Sequence, residues 1–226
     1  MNSSLSSWLS EIGAIFQKEW KAESRSLSGI TTTALLCFVS VVVIYTITAD
    51  TSIHPMIGAG MYWIILIFAA SVSLPRTFIQ EEENRTADFW RLMARPEAVF
   101  WGKALFNTAQ MLTATAFMSV LFIGMSHIPV TNPTLFILTS FGGAIAIAST
   151  VTITGAIAAP ANNRSALAAG ISVPILLFLV SLGVSGTATS FGENLVNGEK
   201  TPIVMILYAI AVTTMGPVVY SRIWKA

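Results

Sequence analysis

Few residues in this chain are able to do chemistry, and they are unevenly spread. Its 226 residues include two histidines, one cysteine, eleven acidic and twelve basic residues. His54 and His127 each lie close to a proline, in His54-Pro55 and His127-Ile128-Pro129. Imidazole ligates haem iron and other metals, but a lone histidine at the edge of an apolar run reads first as a polar boundary residue. Cys37 lies inside an apolar run and is a single cysteine, so an intrachain disulfide and a cysteine-rich metal site are both excluded. The only Gly-Lys pair is Gly102-Lys103. A phosphate-binding loop of the form G-x-x-x-x-G-K needs glycine at position 97, where Glu97 stands. If the protein does work, its energy comes from a partner.

Charge is concentrated in RTFIQEEENRTADFWRLMARPEAVFWGK, residues 76–103. Thr86 suits an N-cap, with Asp88 in the first turn. Phe89, Trp90, Leu92 and Met93 then make an apolar stripe with Arg91 on another face, and Pro96 stops the helix. Glu81 and Glu82 precede this helix and Arg95 follows it. Such a helix is able to dock in a groove of a soluble protein, or simply to join two elements at an interface; the residues alone leave both readings open. Pro160-Ala161-Asn162-Asn163-Arg164 is a shorter polar stretch suited to a turn. Asn162, Asn163 and Arg164 offer a second contact, although a plain connector is the simpler reading.

The elements that hold these groups are apolar. Hydrophobic residues make up 54% of the chain and charged ones 10%, against about 25% charged in soluble domains. The mean hydropathy is +0.72, and the net charge of +1 provides no field for nucleic acid. A soluble enzyme, a nucleic-acid binder and a disordered chain are excluded, which leaves an integral membrane protein. Six runs free of Asp, Glu, Lys, Arg and His are long enough to span a bilayer: 27–49, 57–75, 104–125, 135–159, 167–188 and 202–220. The expected fold is therefore all-α, with six transmembrane helices, since only helices satisfy the backbone over continuous runs of this length. Eleven of the twelve basic residues fall on one side of this arrangement, which makes that side cytoplasmic and puts both termini there. The absence of ionisable groups from the runs disfavours ion-coupled carriers and intramembrane hydrolases.

Residues 1–26 contain Leu5, Trp8, Leu9, Ile12, Ile15, Phe16 and Trp20 at helical spacing, which predicts an interfacial amphipathic helix rather than a signal peptide. Five tryptophans fall at the cytoplasmic boundary, and Trp63 in the outer half of the second span. The fourth span repeats small residues at Gly142, Ala146, Thr150, Thr154 and Ala158, a face for close helix approach within the chain or between subunits. The chain reads as a single transmembrane domain: an interfacial helix at 1–26, a bundle at 27–220 and a tail at 221–226.

Three separated stretches give the chain a resemblance to a known family. IFQKEWKAESRS carries Lys18, Glu19, Glu23 and Arg25 in a K-E-x-x-x-E-x-R pattern ahead of the first span. LPRTFIQEEENRTADFWRLMARPEAVFWGKALFN carries Arg76, Phe78, Glu81, Glu82, Pro96 and Lys103 in order, and PANNRSALAAGISVPILL carries Asn162, Asn163 and Pro174. With these motifs the sequence resembles the CcmB family, the membrane permease of the haem-exporter ABC complex of cytochrome c maturation. Asn84 and Arg85 stand where the family usually has a glycine.

The resemblance implies a half-transporter in a bacterial inner membrane, two copies of which make the pathway, driven by separate CcmA-like ATP-binding cassette subunits. CcmC-like and CcmD-like membrane subunits complete such a complex, embedded in the lipid bilayer. ATP and magnesium then belong to the partner ATPase and haem to another subunit, so this chain is expected to hold no cofactor or metal and to be no enzyme by itself. The segment with Glu81, Glu82, Phe89, Trp90, Leu92, Met93 and Arg95 is similar to the family's coupling helix and becomes the expected ATPase interface. An exporter of lipid, glycan or drug, and a non-transporting assembly factor, are the alternatives.

Overall fold

The computed structural model describes residues 2–48, 53–73, 76–83, 86, 90, 92–126 and 128–224. Among them the regular structure is entirely helical. The helices are α1 (Asn2–Ser26), α2 (Ser28–Thr48), α3 (Pro55–Ser73), α4 (Arg76–Glu83), α5 (Pro96–Ser126), α6 (Pro133–Ala158), α7 (Arg164–Ser190) and α8 (Thr201–Trp224). A short 3-10 turn, Gly198–Lys200, leads into α8. Helices α2, α5, α6, α7 and α8 are long and apolar enough to cross a membrane, and α3 is a shorter apolar helix, Pro55–Ser71 by that measure. The protein is an integral membrane helical protein.

Local chemistry sets most boundaries. Pro133 opens α6, where its fixed φ suits a first turn, and Asn132 caps that turn by accepting from the Leu135 amide at 3.1 Å. Leu27 separates α1 from α2 in a left-handed conformation, φ 51°. That conformation strains a residue with a Cβ, and it lets the chain turn sharply. Glu23 stabilises the turn by accepting from the Ile30 amide of α2 at 2.9 Å. The fifth helix differs from the sequence expectation. Pro96 does stop what precedes it, but it also opens α5, eight residues before the expected start of that span at 104. Lys103 is thereby carried into the helix interior. At the other end α8 continues through Trp224, through most of the expected tail.

The centre of the bundle is α6. Its most apolar window is 72% buried, against 28% in each of the four other long apolar helices. It touches α3, α4, α5, α7 and α8. The small residues Gly142, Ala146, Thr150, Thr154 and Ala158 are all buried within the chain, so this face serves intramolecular packing. Gly142 lies against α8 at Pro202 and Ile206, and the Thr150 and Tyr208 hydroxyls are 2.8 Å apart.

Trp63 is a core residue rather than a boundary one. It is 0% exposed and its indole N–H donates to Thr187 Oγ1 at 2.8 Å. Its ring lies between Gly143 of α6 and Gly183 of α7, where an added Cβ would come within 2.1 and 2.3 Å of ring carbons. Glycine is needed at both positions because the backbones must approach the indole this closely.

The bundle has two distinct ends. At one, α1, α4, the start of α5 and the ends of α6 and α8 meet in a cluster containing Ile12, Ile15, Phe78, Phe100, Ala159 and Tyr220. At the other, Phe122, Phe136 and Phe191 stack, and Thr131 and Asn132 donate their amides to the Ser190 carbonyl.

Candidate functional site

The first end holds a buried cluster of four charges. On α5, Val99, Gly102, Lys103, Phe106 and Asn107 recur at steps of three and four, so one wide face is buried. Lys103 is 0% exposed. Its ammonium donates to Glu81 Oε2 at 2.5 Å and to the Thr77 carbonyl, and stands 4.5 Å from the Phe78 ring centroid. Thr77 and Phe78 precede Glu81 on α4 by four and three residues, which brings each onto its side of the helix. From α1, Lys18 donates to the other oxygen of Glu81 and to Glu19 Oε1, the latter at 2.8 Å. Glu19 Oε1 is also 3.8 Å from Lys103 Nζ.

Two ammonium groups and two carboxylates thus share one partly dry site. A buried charge is tolerated when it is paired and hydrogen-bonded, and here each Glu81 oxygen takes one lysine. Burial would lower the Lys18 pKa, but Glu19 and Glu81 outweigh it and hold it above the ordinary lysine value. Deeper on α5, Asn107 Nδ2 donates to Thr152 Oγ1 of α6 at 2.9 Å and to Thr77 Oγ1 of α4 at 3.3 Å. The cluster is therefore a joint that fixes α1, α4, α5 and α6 to one another.

The α1 helix reaches this joint by lying on α5. Gly102 makes that possible, since a Cβ there would come within 2.7 Å of Ile15 Cβ. Ile12 and Ile15 are buried against α5, and Phe16 meets Phe106 edge-on at 6.4 Å. Leu9 and Trp20 stay exposed. The apolar stripe expected to rest on the membrane is thus divided: part of it packs against the protein.

The residues expected at the ATPase interface separate into two groups. Glu81 points inward, into the four-charge joint, and Trp90 is half-buried with Lys18 Nζ 4.9 Å from its ring centroid. Glu82 and Trp90 line a small pocket with Phe78, Tyr220, Ile223 and Trp224. Leu92 and Met93, by contrast, are 86% and 69% exposed. Arg95 is exposed, with Nε 3.7 Å from Glu11 Oε1. Phe89 lies outside the described residues, as do Arg91 and Asp88 of the same expected helix. Asn162 and Asn163 are exposed in the turn between α6 and α7, whereas Arg164 Nε donates to the Ala159 carbonyl at 2.6 Å and closes the end of α6.

His54 is exposed, with Nε2 3.7 Å from Glu193 Oε2; His127 lies outside the described residues. Among the described residues no group of three or more His, Cys, Asp or Glu side chains is placed to hold a metal ion.

Sequence reasoning gave no role to Lys103, Lys18, Glu19 or Asn107. The available signal was position: in a chain with 10% charged residues, a lysine abutting a long apolar run needs a partner.

Comparison with known proteins places these elements in one frame. The family model described as CcmB protein matches residues 10–221, which takes in α1 from its third turn onward and nearly all of the bundle. No curated protein matches the chain.

Proposed function

The chain belongs to the CcmB family, a membrane component of the haem-exporter ABC system, and from this premise we propose that it is a permease subunit driven by an ATP-binding cassette partner. The polypeptide is a single transmembrane domain whose six apolar helices cross the bacterial inner membrane, with both termini in the cytoplasm. It performs no catalysis and holds no cofactor: ATP and magnesium stay on the ATPase, and haem on another subunit. A second copy completes the pathway, with CcmC-like and CcmD-like subunits beside it.

The observation that carries this reading is the pair Leu92 and Met93. They are 86% and 69% exposed on the segment joining α4 to α5, at the end of the bundle that gathers Lys18, Arg95, Lys103 and Arg164. Two large apolar side chains left this exposed beside the charged end of the bundle suit a groove on a soluble protein. Trp90 of the same segment faces Lys18, and the four-charge joint ties the preceding helix α4 to α1 and α5. A push on Leu92 and Met93 would then be passed to the spanning helices through Glu81 and Lys103.

Co-purification from native membranes in mild detergent tests this. The expected result is a stable complex with an ATP-binding protein, lost when Leu92→Asp and Met93→Asp are combined. Recovery of the chain with no ATPase would overturn the proposal. Retention of the ATPase by the double variant would overturn the docking surface. Loss of holo-cytochrome c on deletion separates haem-linked export from export of lipid, glycan or drug.

A further inference from the structure

A crevice between α1, α2 and α5 faces away from the bundle axis. It has about 410 Å³ of space and is walled by Trp20, Leu27, Ile30, Ala34, Phe106 and Phe117. Its wall is almost wholly apolar, and Ile30 and Phe117 remain 43% and 42% exposed beside it. Its polar lining groups are Glu23, Ser24, Thr33, Gln110 and Thr113. Thr33 lines it, is 5% exposed, and its hydroxyl has no hydrogen-bond partner. The Gln110 amide lines the crevice from α5, and both it and the Glu23 carboxylate lie beside Gly29.

Charge is added at the rim. Lys21 and Arg25 are exposed, one helical turn apart, on the flank of α1 adjoining the crevice residues Trp20 and Ser24. Among the described residues neither has an ion pair, because Glu19 is committed to Lys18 and Glu23 to the Ile30 amide. Glu23, the one carboxylate on the crevice wall, is therefore already engaged as an acceptor.

A mostly apolar slot with hydrogen-bonding groups on its wall and two cations outside it matches the chemistry of a phospholipid: chain, ester, anionic head. We propose that this crevice binds one anionic phospholipid of the cytoplasmic leaflet. Its acyl chain lies along Ala34, Ala114 and Phe117, its ester region meets Thr33 and Gln110, and its phosphate meets Lys21 and Arg25. The bound lipid fills the gap under the α1–α2 elbow and holds α1 against α5. The proposal rests on the reading that α2 and α5 cross the membrane with α1 on the cytoplasmic side.

Native mass spectrometry of the complex, delipidated and then titrated with dioleoyl phosphatidylglycerol or dioleoyl phosphatidylcholine, tests it. The wild type is expected to retain one phosphatidylglycerol per copy of this chain, in at least about tenfold preference to phosphatidylcholine. Ala114→Trp, which fills the slot, should abolish retention of both lipids. Lys21→Ser with Arg25→Ser should abolish the preference while leaving a chain bound. Equal retention by wild type and Ala114→Trp would overturn the proposal. So would a photo-crosslinker at position 113 that traps a partner polypeptide instead of lipid. ATPase retention, read in the same samples, reports separately on the permease assignment, so the two readings fail independently.

Discussion

Lys103 Nζ and Glu81 Oε2 are 2.5 Å apart, and the lysine side chain is 0% exposed. This pair joins α5 to α4, and Lys18 on the second Glu81 oxygen brings in α1. The Lys103 side chain has no access to water, so its hydrogen bonds go to Glu81 and the Thr77 carbonyl. The same carboxylate lies on α4, the helix that precedes the segment presenting Leu92 and Met93.

Glu81 has two cationic partners and Lys103 has one close carboxylate, which sets an order of sensitivity. Glu81→Gln leaves two ammonium groups competing for Glu19 and is expected to cost about 3–5 kcal/mol, the range for breaking a buried pair from one side. Lys103→Met leaves Glu81 still bonded to Lys18 and should cost less. Combining Lys103→Met with Glu81→Gln should cost less than the sum of the two. Thermal unfolding midpoints in detergent check the order and the non-additivity.

Gly183→Ala and Gly143→Ala should each destabilise by about 1–3 kcal/mol through overpacking against Trp63. The ring is enclosed and has no room to retreat. Trp63→Phe should restore much of the loss in the Gly183→Ala background, although it gives up the bond to Thr187 Oγ1. Unfolding midpoints of the three variants decide this; a Gly183→Ala protein as stable as the parent would contradict it.

Gly102→Val should lift α1 from α5, because the new side chain meets Ile15 and the Ile12 carbonyl. The bundle itself, built around α6, should stay folded. Limited proteolysis is expected to cut within residues 7–26 in the variant and not in the parent, with the rest of the chain recovered intact.

The joint also predicts an alkaline limit. The Lys18 pKa is raised in the folded protein, so its stabilising contribution is complete below the ordinary lysine value. It fades as pH rises through the folded value, above about pH 10. Unfolding midpoints should stay level from pH 8 to about pH 10 and fall above it. Lys18→Arg, whose guanidinium stays charged, should move the fall to higher pH.

Helix positions were readable from the sequence because they depend on local chemistry. Runs without charge, Pro133 after Asn132, and the Pro160 to Asn163 turn each mark a boundary within a few residues. Membrane character followed from the same runs. The start of α5 was misjudged because hydropathy begins at Ala104, whereas the helix begins with the fixed φ of Pro96 and takes Lys103 with it. The exposed pair Leu92 and Met93 was named with the rest of its stripe, but which members of that stretch face outward was not visible in their order.

What the sequence determined by itself was the helical, membrane-spanning character of its apolar runs, the asymmetry of charge, and the likeness to the CcmB family. These are sums over neighbouring residues, and a chain in lipid must satisfy its backbone within each segment. Tertiary structure alone decided that Glu81 turns inward, that Lys18, Glu19, Glu81 and Lys103 form one neutral cluster, and that Trp63 is seated between two glycines. Those contacts join residues as many as 124 positions apart. The pairing of distant charges, and the fit of an indole between two backbones, depend on helix placement in three dimensions, to which local hydropathy is blind.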